Sequence, residues 1–402
     1  MAGGRLARPD PHRYGGLFPR RDHGRAEHPS GPGSASRRDQ RGDHLPDPDR
    51  AQRRRARLGA PGAERMKTLT TIILGLALLA APAAGADEAR LLAGFCAAEG
   101  LSGRLAFTGY DDDSDGEIYF LDLAEGVVHR LTEDRHDDYS PALSPDGRRL
   151  AWVAERDGRH DVYLMELGLH GEGREVTRLT DSEGLERDLS WSADGESLYF
   201  ASYEEIDFAV IGIAEPGLAM DELVERDEGY VVYSLDPDTG TTRRLSLLAG
   251  DYRSPVHLAG YGTVCRYDPW HVDVSRFRHG LVVIDAELNC DGLLPWWETR
   301  EMELRERLHR FPDGDLLVGF RVEDGSYFVR LDAERAYVEK KWYLSEDDIG
   351  DAVPDPDCED CGWFVLVSED EELLFCQGVF SSAYADYLIV EEAAEPSWSL
   401  LR

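Results

Sequence analysis

Lysine is almost missing from this chain. Lys67, Lys340 and Lys341 are its only lysines among 402 residues, where Lys and Arg together number 44 and Asp and Glu 79, giving a net charge of −35. Such a field repels nucleic acid and anionic membranes and attracts cations and basic partners, so nucleic acid is excluded as a partner. The acid excess is also what adaptation to high salt would give, because screening removes self-repulsion. Long apolar runs are missing too: the longest, Ile72 to Ala81, is about half of what a membrane-spanning helix needs. No G-x-S-x-G elbow and no H-E-x-x-H follows residue 86, which excludes those hydrolase and zinc-protease signatures. Cysteine is limited to 6 residues with a single C-x-x-C, so a second ligand pair for structural zinc is lacking.

The N-terminal end reads as an address label. Residues 1–65 are rich in Arg, Pro and Gly and cannot bury a core, consistent with a disordered leader or an upstream start that is not the true one. Met66 then opens a stretch with a basic n-region (Lys67), an apolar h-region and the small residues Ala84-Gly85-Ala86. Residues 66–86 are therefore expected to be a secretory signal peptide cleaved after Ala86, with a periplasmic or secreted destination. The leader through Ala86 holds 16 of the 44 basic and 8 of the 79 acidic residues, so residues 87–402 carry 28 against 71.

What is present in that segment is a repeat. An apolar residue followed by an acid ends a strand-like run at Leu121-Asp122, Met165-Glu166, Leu235-Asp236, Ile284-Asp285, Leu331-Asp332 and Val390-Glu391, at spacings of 44, 70, 49, 47 and 59. A second mark checks it: tight turns at Ser144-Pro145-Asp146-Gly147, Ser192-Ala193-Asp194-Gly195 and Phe311-Pro312-Asp313-Gly314. Asp146 to Asp194 is 48 residues, and Asp194 to Asp313 is 119, or 95 once an apparent 24-residue insert at 205–228 is removed. Four short strands per period predict an all-β, six-bladed β-propeller of four-stranded antiparallel blades over 87–402.

Alternation places the second unit's strands at Tyr139 to Leu143, Arg149 to Ala154, Asp161 to Leu167 and Glu175 to Thr180. The first unit has Arg104 to Thr108, Glu117 to Leu123 and Val127 to Thr132, with Leu91 to Ala97 as its inner strand or else a short helix. The last unit is read as Trp363 to Val367, Leu373 to Gln377, Tyr387 to Val390 and Trp398 to Leu401.

Asp138-Tyr139-Ser140-Pro141-Ala142-Leu143-Ser144-Pro145-Asp146-Gly147, followed by Leu150-Ala151-Trp152, Arg156-Asp157-Gly158, Asp161-Val162-Tyr163 and Arg178-Leu179-Thr180, resembles the TolB family of propeller repeats. The match is strong over 104–247. The resemblance implies a propeller that docks protein over its central channel. A whole TolB has an α/β domain before its propeller, and the short interval from Asp87 to Arg104 leads us to expect the propeller alone.

Candidate sites follow from parity, since second-to-third and between-blade connections share one face. The acidic hairpin at 111–116, the insert at 205–228 and a Cys-bearing link at 346–361 are expected to crowd that face. Asp138, Tyr139, Asp188, Asp251 and Tyr252, at the junctions, are the predicted ligand- or partner-binding residues, with a protein or a cationic peptide as the partner. Asp111, Asp113 and Asp115, before Gly116 and with Asp122 in twelfth place, form a calcium-loop candidate, the alternative being an acidic turn. A metal-dependent lyase or hydrolase of oligosaccharides would draw instead on His257, His271 and His279 near Trp270, Trp296 and Trp297. Among the cysteines, Cys265 and Cys290 share a repeat, Cys358 and Cys361 share a loop, and Cys96 with Cys376 could staple the ring. The sequence therefore favours an exported, monomeric, non-enzymatic binding module.

Overall fold

Burial on both faces marks strands such as Arg104–Tyr110, Gly116–Asp122 and Arg149–Arg156 of the computed structural model, which describes residues 84–110, 115–205, 228–246, 250–268, 280–292, 303–322, 325–332, 337–345, 349–356, 363–368, 373–377, 384–390 and 393–400. Among the described residues a helix, α1 (Ala84–Glu99), precedes β1 (Arg104–Tyr110), β2 (Gly116–Asp122) and β3 (Val127–Arg130). The second group is β4 (Asp138–Leu143), β5 (Arg149–Arg156), β6 (Arg159–Leu167) and β7 (Gly173–Arg178). The third is β8 (Leu185–Trp191), β9 (Leu198–Glu205), β10 (Glu228–Leu235) and β11 (Thr242–Arg244). Then come β12 (Asp251–Leu258), β13 (Gly262–Asp268), β14 (Gly280–Ile284) and β15 (Cys290–Gly292), and β16 (Glu303–Arg310), β17 (Leu316–Val322), β18 (Gly325–Asp332) and β19 (Tyr337–Ser345). The last are β20 (Ile349–Pro354), β21 (Trp363–Ser368), β22 (Leu373–Gln377), β23 (Tyr384–Val390) and β24 (Ala393–Ser399).

Neighbours within a group pair antiparallel, and one parallel bridge, His160 to Leu185, joins the second group to the third. The strands β4, β8, β12, β16, β20 and β24 each pack on the next, and β24 returns to β4.

Two expectations are corrected here. The first group's inner strand is β24, paired antiparallel with β1 from Arg104↔Ser399 to Gly109↔Ala393, while Leu91 to Ala97 is helical. Cys96 is a buried thiol within α1, so no staple to Cys376 forms. Backbone pairing joins β24 to β1, and α1 packs its Leu92 and Cys96 with Leu105, Phe107, Phe375 and Trp398. Gly126 (φ 67°) lets the β2–β3 turn press on Ala89, whose carbonyl would collide with any Cβ there. The second correction concerns 346–361, which is not one link. β20 divides it, so Cys358 and Cys361 fall in chain order between a first strand and a second rather than between groups. Cys265 and Cys290 also carry thiols rather than a disulfide; the Cys358–Cys361 reading lies outside the described residues.

Arg130-Leu131-Thr132, Arg178-Leu179-Thr180 and Arg244-Leu245-Ser246 share a physical role in the last residue of each. Its hydroxyl accepts a backbone N–H of the neighbouring third strand: Thr132 Oγ1 from Ile118, Thr180 Oγ1 from Val162 and Ser246 Oγ from Val232, at 2.8, 2.8 and 3.0 Å.

Candidate functional site

The six inner strands share a defect that shapes the centre. Every one of them carries a register shift against its neighbour, and Ser140, Asp188, Ser254 and Glu395 sit there at φ 55°, 56°, 48° and 53°. A bulge frees backbone N–H groups from the ladder, and buried N–H groups need acceptors. Here four such groups are capped from the preceding strand. Glu395 Oε2 accepts Ser140 N–H at 2.5 Å, Ser140 Oγ accepts Asp188 N–H at 3.3 Å, Asp188 Oδ2 accepts Ser254 N–H at 3.1 Å, and Ser254 Oγ accepts Leu308 N–H at 2.6 Å.

Arg307 crosses this relay. From β16 it donates to Ser140 Oγ on β4 at 3.0 Å and lies 3.8 Å from Asp351 on β20. Glu395, Asp351 and Asp188 together hold its guanidinium charged despite burial. Burial opposes ionisation of Asp188, but Arg253, Arg187 and Arg307 outweigh it and hold the carboxyl below its usual range. Asp351 is likewise held low against burial by His309, whose Nε2 is 2.8 Å from Asp351 Oδ1, and by Arg307.

Beyond this charged floor lies a cavity of about 210 Å³, lined by the later halves of all six inner strands and by turn residues Pro145, Ala193, Pro312 and Pro356. Its walls include Pro141, Pro255, Pro354, Pro396, Trp191 and Trp398, and its polar lining includes Ser190, His309 and Arg310. The turn end of the strands holds this cavity.

The predicted site residues lie at the opposite end and are not brought to that cavity, Asp188 excepted. Asp138 is buried and accepts from Arg156 Nη2 at 2.9 Å, and burial, opposed by Arg156, pushes its carboxyl up to about 6. Tyr139 Oη is 2.8 Å from His160 Nδ1 and donates to the Glu186 carbonyl at 3.2 Å. Asp188 is the relay member that accepts from Arg253 Nε at 2.9 Å. Asp251 accepts Tyr230 N–H at 3.1 Å. Tyr252 is fully buried with its ring 4.8 Å from that of Tyr267.

Of the calcium candidates, Asp111 and Asp113 lie outside the described residues, and Asp115 begins the run into β2. Asp122 cannot close that loop: it ends β2, about 20 Å along a seven-residue strand, where it lies 3.6 Å from Arg104 and accepts Ala124 N–H at 3.0 Å. Among the described residues no group of His, Cys, Asp and Glu could hold a metal ion. His257 stacks on Tyr199 at 4.9 Å, and burial lowers its pKa; His271, His279 and the three tryptophans lie outside the described residues, as does the insert apart from Glu205 and Glu228.

Sequence reasoning missed Arg307, His309, Asp351 and Glu395. A usable signal existed: Ser140, Asp188 and Arg307 each stand seven residues before a turn glycine, at 147, 195 and 314.

Comparison with known proteins bears on this geometry. A family model described as a TolB beta propeller domain matches residues 100–207. The protein named Protein TolB homolog of Chlorobium luteolum is 32% identical over 127 residues, 29% of this chain and 28% of that protein. Tricorn protease homolog 1 of Streptomyces coelicolor is 31% identical over 100 residues, 25% of this chain and 8% of that protein. The chain thus spans under a third of either relative. The crystal structure of TolB from Acinetobacter baumannii superposes with a TM-score of 0.47 at 16% identity, covering 79% of this chain and 72% of that one.

Proposed function

Starting from a chain that is a TolB-like β-propeller repeat protein, matched as such over residues 100–207, we propose that it is an exported six-bladed propeller of four-stranded blades that binds a protein or peptide. The observation that carries this reading is the hub cavity: a proline-rich recess of mixed polar and apolar lining whose floor groups are engaged with one another. Concave sites that combine apolar walls with placed polar groups are where ligands bind. Ala193, exposed at the rim, allows a direct test. Ala193→Trp should abolish peptide selection from a displayed library while the melting temperature holds. Unchanged selection by the variant would place binding elsewhere, with the junction residues Asp138, Tyr139 and Asp251 and the insert at 205–228 next to be tried.

Export is part of the proposal, resting on residues 66–86; N-terminal sequencing of the protein from its host should begin at Asp87. Among the described residues no helix is long and apolar enough to cross a membrane. A monomer is the expected state, to be read by light scattering. A second reading, a lyase or hydrolase, draws on one observation, the His309–Asp351 pair at the cavity wall. Stoichiometric metal lost on His309→Ala, or polymer cleavage that the same change removes, would favour it.

A further inference from the structure

We infer that the hub cavity receives the C-terminal carboxylate of a peptide, with Arg310 as its counter-ion. The inference rests on the binding-module reading and names the chemistry of the ligand.

The first argument is shape. Arg307 reaches from β16 to Ser140 on β4, the strand three steps around the ring, and closes the cavity at its floor. A recess of about 210 Å³ with the Arg307–Ser140 contact across one end suits the end of a chain better than a segment passing through. Its walls of Pro141, Pro255, Pro354 and Pro396 offer no backbone N–H groups to a ligand, so they suit apolar side chains.

The second argument is charge. Arg307 is matched by Asp188, Asp351 and Glu395 around it. Arg310 has no such match: one of its Nη groups donates to the His257 carbonyl at 3.1 Å, and among the described residues no carboxylate lies within ion-pairing distance of it. Asp194 acts on it from further off, with its Oδ1 taken by Ser192 Oγ at 2.6 Å and Glu196 N–H at 3.0 Å. A half-buried arginine that lines the recess and makes no direct ion pair there has guanidinium N–H groups to offer an anion. Guanidinium groups meet carboxylates in a two-bond fork. A chain's N-terminal ammonium would be repelled there, which leaves the C-terminus.

The test uses the full purified chain, immobilised, and one random N-acetylated heptapeptide pool made both as C-terminal acids and as C-terminal amides. The acid pool should be retained about tenfold more than the amide pool, a difference of ~1.4 kcal/mol. Arg310→Gln should bring acid retention down to the amide level, and Arg310→Lys should restore part of it. Equal retention of the two pools by the unaltered chain overturns the inference and leaves the binding reading standing. Retention of neither overturns both. The acid–amide comparison needs no variant, so a folding defect in Arg310→Gln does not blunt it.

Discussion

The two ends of the inner strands use charge in opposite ways. At the junction end, Asp138, Asp188 and Asp251 are the acids that a sequence reader assigns to a ligand, yet each already accepts from Arg156, from Arg253, or from the Tyr230 N–H. At the turn end the lining includes seven prolines, Trp191 and Trp398, and Arg310, for which the described residues hold no ion-pair partner, lines the cavity. Desolvated carboxylates are costly unless paired, so in a chain this acidic the acids near the centre are first of all structural. A site is better sought where pairing stops.

The sharpest way to break this contrast is to remove the central cation. Arg307→Leu strands Asp188, Asp351 and Glu395 without it, and breaking a buried ionic cluster on one side costs ~3–5 kcal/mol. Thermal unfolding should register a fall of roughly 10 °C. Arg310→Gln, at the cavity, should cost far less. Equal losses from both would mean that Arg310 is as structural as Arg307.

The next effect is pH-dependent and belongs to the junction end alone. Glu186 is buried, and burial pushes its carboxyl up to about 8 even though Ser182 Oγ donates to it at 2.5 Å. In the unfolded chain a glutamate titrates near ~4.3, so between these values the folded state holds the extra proton and stability falls as pH rises. Glu186→Gln keeps an acceptor for Ser182 and removes the titration. Melting temperatures should fall for the unaltered chain from about pH 5 to pH 8, with a flatter profile in the variant. Parallel profiles would show that the carboxyl is not the source.

How much of this was legible depends on the range of the interaction. Strand positions were legible wherever alternation and a turn signal coincide, as in β4 to β6, because both are local. β20 was missed because a register shift at Gly350 and the prolines at 354 and 356 interrupt its pattern. The pairing of β24 with β1 was legible only by aligning Asp188-Leu189-Ser190-Trp191-Ser192 with Glu395-Pro396-Ser397-Trp398-Ser399, which marks the last strand as an inner one. The floor was not legible at all. Arg307 meets Ser140 from 167 residues away and from the far side of the ring, and no spacing rule encodes that.

A smaller loss should follow from cutting the relay one link at a time. Ser254→Ala leaves Leu308 N–H without its acceptor, and a buried donor left unsatisfied costs ~1–3 kcal/mol. Serine and alanine both carry a Cβ at φ 48°, so the strain is common to the two and the loss reads the capping bond. Denaturant unfolding of Ser254→Ala should show that loss. Unchanged stability would assign nothing to the capping bond.

Calcium should do least. The carboxylate that would close the acidic loop, Asp122, is committed to Arg104 and to the Ala124 N–H at the far end of β2. A loop lacking its twelfth ligand falls among weak sites, with Kd ~10⁻³ M, so calcium at about 0.1 mM stabilises by only ~0.06 kcal/mol. The melting temperature should then move by less than ~0.5 °C. A rise of several degrees, abolished by Asp115→Asn, would mean that Asp111, Asp113 and Asp115 find a closing ligand other than Asp122, and the junction end would then hold a site after all.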